Sequence, residues 1–276
     1  FHKEEFFSLI KKTSVHCNKN KIELEGFVTL IDTIFKTSNR MVCGLGASSV
    51  LETSITLHHI WGVPYIPGSS FKGVCREVAF WELVHKKQLL HNTVDTNEND
   101  NDIEKLNEFQ KKFYGQLCID DPRILAYQLL FGAQDFKGLF LFLDAYPDES
   151  NNIFELDIMN PHYGSFYSDK ECKTPPGDWE NPVPVFFLTV KAGVKFRFSV
   201  LFDKWRWENL KSEGFVIERN KNKYIIHFES KSDNKENKKI TINKEEIEHY
   251  INDKNFLINI IQLALCNYGI GSKRNV

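Results

Sequence analysis

The stretch PYIPGSSFKG, residues 64–73, marks the point where the chain changes from a loop to a helix. Glycines and prolines interrupt residues 41–68, which predicts a long irregular connection of the kind that often carries function. Beyond the stretch, apolar residues recur at helical spacing, namely Phe71, Val74, Val78 and Trp81. We therefore predict a helix over residues 69–90, with Ser69 or Ser70 as its N-cap.

The start of this predicted helix has the features of an anion site. Free backbone N–H groups and the positive end of the helix dipole attract phosphate, and Gly68 would let a ligand approach the backbone closely. Lys72 and Arg76 lie four residues apart, on one face. Together with Ser69 and Ser70 they predict a phosphate cradle, and a capped helix with ordinary surface cations is the alternative. The stretch does not match the P-loop pattern of nucleotide hydrolases.

Strands and helices alternate along the rest of the chain. Strands are predicted at 26–36, at 138–147, and at 185–202 as two strands around a tight turn at Lys191–Gly193. Further helices are predicted at 103–114, at 122–131 with Asp121 as N-cap, and at 243–266 with Asn243 as N-cap. This order predicts an α+β fold with a mostly antiparallel sheet and helices on one face.

The length of 276 residues and a hydrophobic content of 42% fit one large domain. We predict a single domain over 1–276 with inserted loops at about 91–102, 165–182 and 214–240. The first loop is rich in Asn and Asp and is expected to be mobile, and the third is a candidate hairpin. Because the chain begins with Phe1 and not with Met, we expect both termini to be shorter than in the natural protein.

The net charge of −2 excludes a globally basic nucleic-acid binder, so any such contact must rest on local clusters. The six cysteines include no C-x-x-C pair, which argues against a zinc site or a redox pair. Free thiols in a reducing cytoplasm are the simplest interpretation. There is no apolar run long enough to span a bilayer and no signal peptide, so no membrane partner is expected.

A second glycine-bearing segment, GIGSKRNV, occupies residues 269–276. Glycines after a helix commonly form a C-cap. Two glycines followed by a serine and two cations also suit a backbone loop that lies along a polyanion. Both interpretations stay open at this point.

Signals for catalysis are weak. GLGASS at 44–49 leads into a strand-like stretch, so the helix that a dinucleotide motif requires is missing. His58 or His59 could serve as a general base for RNA cleavage through the 2′-hydroxyl, but no nucleophile accompanies them, which favours a structural or RNA-packing role. Glu52 and Asp144 are carboxylates near glycine loops, and nothing in the sequence pairs them as metal ligands.

Residues 44–77, GLGASSVLETSITLHHIWGVPYIPGSSFKGVCRE, resemble the signature of the RAMP proteins of type III CRISPR effector complexes. Four later segments fit the same family in the same order: FGAQDFKGLFLFLDAYP, LDIMNPHY, PVPVFFLTVKAGVKFRF and GIGSKRNV. Within the family, the sequence is most similar to the sixth-subunit group of the type III-B Cmr complex.

The resemblance implies a ferredoxin-like (RRM-like) βαββαβ core with inserted loops, in a non-catalytic subunit without cofactor or metal. Such a subunit caps the backbone filament, holds the guide crRNA towards its 3′ end and supports recognition of target RNA in antiviral defence. Other Cmr subunits are the implied protein partners: the backbone RAMP filament, the small helical subunit and the other capping RAMP.

The RNA-binding positions that follow from the resemblance are Gly68, Ser69, Ser70, Lys72, Arg76, Gly269, Gly271, Ser272, Lys273 and Arg274, with His58 added to them. Because there is no RNP1 motif, we expect loops and helix ends, and not sheet aromatics, to hold the RNA. Two other hypotheses stay open. One is a metal-independent CRISPR-repeat endoribonuclease that uses His58 or His59, and the other is a protein-interaction module whose glycines only cap helices.

Overall fold

The fold is seen in a computed structural model of the protein, which describes residues 26–46, 53–86, 96–118, 121–148, 152–171, 173–209, 215–220, 223–228, 238–243 and 254–271. The strands are β1 (Phe27–Lys36), β2 (Phe140–Phe142), β3 (Tyr146–Pro147), β4 (Phe154–Met159), β5 (Val185–Val190), β6 (Lys195–Asp203), β7 (Phe215–Asn220), β8 (Lys223–Phe228) and β9 (Lys238–Asn243). The helices are α1 (Gly68–Lys86), α2 (Thr96–Tyr114), α3 (Pro122–Phe131), α4 (Gly164–Ser168), α5 (Lys204–Glu208) and α6 (Lys254–Gln262), which continues as a π-helical segment over Leu263–Tyr268.

Strand β6 is the centre of the main sheet. β1 pairs with it antiparallel, from Phe27 opposite Asp203 to Lys36 opposite Lys195. β2 and β3 also pair antiparallel with β6, so that the strand order is β1–β6–β2. The same sheet therefore connects residues 27–36 with residues 140–147 and 195–203, which are far apart in the sequence.

The two faces of β6 differ because side chains alternate along a strand. Phe196, Phe198 and Val200 point into the core and are buried. On the opposite face, Arg197 and Ser199 contact the Asp32 carboxylate of β1 at 3.1 and 3.0 Å. One face thus carries the hydrophobic core, and the other carries a polar cross-strand cluster.

Helix α1 packs its apolar side on the core face of this sheet. The ring of Phe71 is fully buried, with its centroid 5.0 Å from that of Phe142 and 4.9 Å from that of Phe198. The π-helical segment after α6 packs against α1 as well. Helix α1 therefore lies between the sheet and the C-terminal helical segment.

With other elements inserted between them, β1, α1, β2, β6 and α6 occur in the chain in the order strand, helix, strand, strand and helix. This is the order of the first five elements of a ferredoxin-like βαββαβ unit, and every strand pair among the described residues is antiparallel. The α+β class with an antiparallel sheet is confirmed. In the part of the chain that the structure describes, no helix is long and apolar enough to cross a bilayer.

The prediction of one continuous strand over 138–147 is wrong. β2 ends at Phe142 and β3 begins at Tyr146. Between them Ala145 leaves β6 and forms a two-way backbone bridge with Ile66, with both N–H···O distances at 2.9 Å. This bend directs the intervening Asp144 towards the start of α1.

The predicted helix boundaries also need correction. α2 begins at Thr96, inside the stretch 91–102 predicted as a loop, and the pair of Asp102 and Lys105 at 3.5 Å supports it locally. Asn243 is the last residue of strand β9, and α6 runs over Lys254–Gln262; the rest of the stretch predicted as the start of this helix, 244–253, lies outside the described residues. By contrast, the start of α3 is confirmed, because the Asp121 carboxylate accepts the N–H groups of Arg123 and Ile124.

Two predicted insertions contain regular structure. The stretch 214–240 includes β7, β8 and the start of β9, which form a separate three-stranded antiparallel sheet. The stretch 165–182 contains most of the short helix α4, followed by a loop. The turn at Lys191–Gly193 is confirmed, although β5 pairs with β4 and not with β6.

Candidate nucleic-acid interface

The start of α1 lies one residue earlier than predicted. The Phe71 N–H donates to the Pro67 carbonyl at 3.1 Å, so Pro67 is the N-cap and the assignment of Ser69 or Ser70 to that position is wrong. Both serines lie inside the first turn and are exposed. They remain accessible to a ligand although they do not cap the helix.

A carboxylate already occupies part of the anion site at this helix start. The Gly68 N–H donates to Asp144 Oδ1 at 2.7 Å, and negative charge is favourable there because of the helix dipole. A Cβ on Gly68 would collide with the carbonyl oxygen of Phe142. The glycine is thus explained by close packing against the end of β2, and its N–H group is used within the protein.

Lys72 and Arg76 lie on the side of α1 that faces other protein elements. Arg76 Nη2 donates to the Phe113 carbonyl at 3.2 Å, and its guanidinium lies 4.9 Å from the centroid of the Tyr114 ring. Burial, together with the charges of Arg76 and Lys137, lowers the pKa of Lys72. Both cations are half-buried. Through its contacts with Phe113 and Tyr114, Arg76 joins α1 to the end of α2.

An open cleft of about 480 Å³ is lined by residues of both glycine-bearing segments, 64–73 and 269–276. Its lining residues come from four parts of the chain: Cys43, Gly44, Ser70, Gly73, Val74, Glu77, Tyr114, Ile270 and Gly271. Of the predicted RNA-binding residues, Ser70 and Gly271 line this cleft. Lys72 and Arg76 are not among its lining residues, because they project from a different side of α1.

The backbone conformations at Gly44 and Gly271 require glycine. Gly44 has φ +79° and Gly271 has φ +118°, in the left-handed region that favours glycine. A Cβ on Gly271 would lie 2.9 Å from the Val42 carbonyl oxygen. The C-terminal segment therefore passes close to the backbone of Val42, two residues before Gly44, and this contact builds one end of the cleft.

A second cavity, of about 220 Å³, lies on the other side of the C-terminal segment. Residues 35–41, which include the end of β1 and the segment after it, line it together with Gly269 and Ile270. Arg40 at its rim pairs with Asp157 at 3.0 Å. Gly269 thus lines this cavity, and Ile270 lines both this cavity and the cleft.

His58 begins a tight turn and lines neither cavity. Its ring stacks on His59 with centroids 4.9 Å apart and meets the Tyr146 ring edge-on at 6.1 Å. The Ile60 N–H donates to His58 Nδ1 at 3.4 Å. His58 does not line the cleft that contains Ser70 and Gly271.

Several predicted positions receive no structural account. Ser272, Lys273 and Arg274 lie outside the described residues, as does Glu52. Within the described ranges, no group of three or more His, Cys, Asp or Glu side chains could hold a metal ion. Asp144 acts instead as a partner of the Gly68 N–H.

Among the lining residues that the sequence did not assign to RNA binding are Gly73, Glu77 and Tyr114. The signal for the first two was present, since Ser70, Gly73 and Glu77 lie at i, i+3 and i+7 on one side of a helix. Tyr114 could not be found in this way, because its position depends on the packing of α2 against α1.

Comparisons with known proteins agree on one family. The model of the RAMP superfamily matches residues 34–276. The CRISPR system Cmr subunit Cmr6 of Pyrococcus furiosus is 38% identical over 191 residues, which cover 60% of this chain and 56% of that protein. Cmr6 of Saccharolobus solfataricus is 22% identical over 180 residues, 64% of this chain and 47% of that protein. The chain thus spans about half the length of the curated relatives it matches.

Among solved structures, the crystal structure of Cmr6 from Pyrococcus furiosus superposes with a TM-score of 0.44 and 28% sequence identity. The superposition covers 91% of this chain and 94% of that chain.

Proposed function

The chain belongs to the RAMP superfamily, and from that premise we propose that it is a non-catalytic RNA-binding subunit of a type III-B CRISPR Cmr effector complex. It binds the guide crRNA towards the 3′ end of the guide, caps the backbone filament and supports recognition of target RNA. Its similarity to two Cmr6 proteins supports this assignment. Its protein partners are the backbone RAMP filament, the small helical subunit and the other capping RAMP.

The observation that carries the proposal is the cleft shared by Gly44, Ser70 and Gly271. Three segments far apart in the sequence meet there, and glycines at two of them bring bare backbone to the surface. Exposed backbone N–H groups and small side chains are suited to contact the sugar–phosphate chain without reading sequence. A guide strand of any sequence can be held in this way.

The charge needed for phosphate binding comes from the end of the chain. Lys273 and Arg274 follow Gly271 within three residues of sequence. Lys72 and Arg76 take a lesser part, because Arg76 is committed to the Phe113 carbonyl and the Tyr114 ring. The proposed RNA path therefore runs over the glycine loops and not along the cationic side of α1.

The alternative of a repeat-processing endoribonuclease is less well supported. A general base must come within hydrogen-bond reach of the 2′-hydroxyl that it deprotonates. His58 lies outside the cleft, with its Nδ1 accepting the Ile60 N–H. Incubation of the protein with repeat RNA distinguishes the two functions, since cleavage that disappears in a His58→Ala/His59→Ala variant would contradict the non-catalytic assignment.

The salt dependence of RNA affinity tests the proposed path. We compare two variants that each remove two cations, Lys273→Ala/Arg274→Ala and Lys72→Ala/Arg76→Ala. The first is expected to reduce the slope of log K against log salt by about 1.4, since each lost phosphate contact on single-stranded RNA contributes about 0.7. The second is expected to change the slope less.

The four-cation variant combines both changes and is expected to lose the most guide RNA during purification of the complex. An unchanged slope in the four-cation variant would overturn RNA binding at these positions. Purified complexes that contain the protein but no RNA would favour the protein-interaction module.

A further inference from the structure

We propose that the α1 wall of the cleft contacts the ribose edge of the RNA and that Glu77 reads the 2′-hydroxyl group. The inference rests on the proposed function, because it assigns a task to residues of the same cleft. It supplies a basis for distinguishing RNA from DNA, which phosphate contacts alone do not provide.

Gly73 supplies the room for such a contact. It lies in the second turn of α1, where glycine destabilises a helix relative to alanine. A Cβ built on Gly73 meets nothing within 4 Å, and its backbone is helical. Neither packing nor conformation requires a glycine here, in contrast to Gly44, Gly68 and Gly271. The open space above Gly73 lies in the cleft, so the absent side chain lets a ligand approach the helix backbone.

Glu77 lies one turn further along the same wall. Of the described residues, none forms a hydrogen bond or an ion pair with its carboxylate. An ionised carboxylate only accepts hydrogen bonds, and it repels phosphate. The 2′-hydroxyl of a ribose is a neutral donor that suits it, and deoxyribose lacks that donor.

The other groups of the wall match a sugar in the same way. Burial, and after it the charge of Glu77, raises the pKa of Tyr114, so the phenol stays protonated and can donate. Burial raises the pKa of the Cys43 thiol to about 11, so this side chain is uncharged at neutral pH. No Lys or Arg is among the described residues that line the cleft. The described wall therefore offers neutral and acceptor groups, and phosphates fit better on its rim.

Binding of the full chain to a labelled single-stranded RNA and to DNA of the same sequence tests the assignment by fluorescence anisotropy. Glu77→Ala is expected to weaken RNA binding about tenfold, the cost of one hydrogen bond to a charged group. DNA affinity should stay the same or increase, because a repulsive charge is removed. Glu77→Gln keeps an oxygen acceptor and should lose less RNA affinity.

Glu108→Ala is the matched control. Glu108 is an exposed residue of α2 that pairs with Lys112 at 2.7 Å and does not line the cleft. The variant removes one negative charge elsewhere and should leave the ratio of RNA to DNA affinity unchanged. A variant that is merely unfolded lowers both affinities together, so the ratio separates lost recognition from lost structure.

The Gly73→Ala variant adds a second test, in which thermal stability and RNA affinity are expected to change in opposite directions. Alanine should raise the melting temperature, because it is the better helix former, and should weaken RNA binding by filling the cleft. If RNA binding by the Gly73→Ala variant is unchanged, or if Glu77→Ala affects RNA and DNA equally, the ribose contact is overturned while the proposed function stands. If the wild-type chain binds no RNA, both the ribose contact and the proposed function are overturned.

Discussion

At the scale of single residues, Asp144 decides what the start of α1 can bind. In the sequence it is one carboxylate in an apolar stretch, and the glycines and serines of PYIPGSSFKG predict a phosphate cradle. In the structure its carboxylate accepts the Gly68 N–H at 2.7 Å. A phosphate at this helix start would be repelled by that charge, so the RNA path that we propose uses neighbouring donors.

Asp144→Ala is expected to destabilise the protein by about 1 kcal/mol, the usual cost of removing a side-chain acceptor at a helix start. Asp144→Asn should cost less, since the amide oxygen still accepts but the favourable charge near the helix dipole is lost. The free energy of unfolding in urea measures both. Asp178→Ala, at an exposed loop carboxylate that accepts from the Tyr163 hydroxyl, is the control. Equal stability of Asp144→Ala and wild type would contradict the capping role.

At the scale of elements, the end of α2 is held by side chains from its neighbours. Helix C-termini leave unpaired carbonyl groups, and Gln128 of α3 satisfies several of them. Its Nε2 donates to the carbonyls of Lys112, Phe113 and Gln116 at 2.9, 3.2 and 3.1 Å. Its Oε1 accepts the Cys118 N–H at 2.6 Å. Because Tyr114 belongs to the same helix end, these bonds also fix one wall of the cleft.

Gln128→Leu keeps the side-chain volume and removes all four of these hydrogen bonds. We expect a loss of about 3 kcal/mol, because Gln128 is 1% exposed and its backbone partners are left without acceptors or donors in a buried place. Chemical denaturation gives the value. Gln110→Leu, at an exposed position of α2, should stay within about 0.5 kcal/mol of wild type. A similar small loss for Gln128→Leu would show that the end of α2 does not depend on this amide.

Local signals predicted the elements whose ends are made locally. The Asp121–Pro122 start of α3 is one such case, since the cap and the first turn are adjacent in sequence. Ends made by distant residues could not be predicted. The Gly68 N–H at the start of α1 donates to Asp144, 76 residues further along the chain, and the strand at 138–147 breaks because Ala145 pairs with Ile66. Gln128 at the end of α2 belongs to the same class, since a buried amide gives no periodic signal.

At the scale of the whole molecule, the fold turns three weak sequence signals into one site. Gly44, Ser70 and Gly271 are far apart in the sequence. They meet at one cleft because the C-terminal helix packs against α1. The sequence pointed to the glycine segments, and the family resemblance joined them. It could not point to Tyr114, whose place depends on the packing of α2 on α1.

Crosslinking of guide RNA to the protein tests the central claim most directly. A crRNA that carries photoreactive uridines is assembled with the subunits of the complex, irradiated, and mapped on the protein by peptide mass spectrometry. We expect adducts in the peptides that contain Gly44, Ser70 to Glu77, Tyr114 and Gly271, with fewer adducts in a Gly73→Ala variant. Adducts confined to other surfaces, such as the exposed Trp179 and Phe186, would contradict the account.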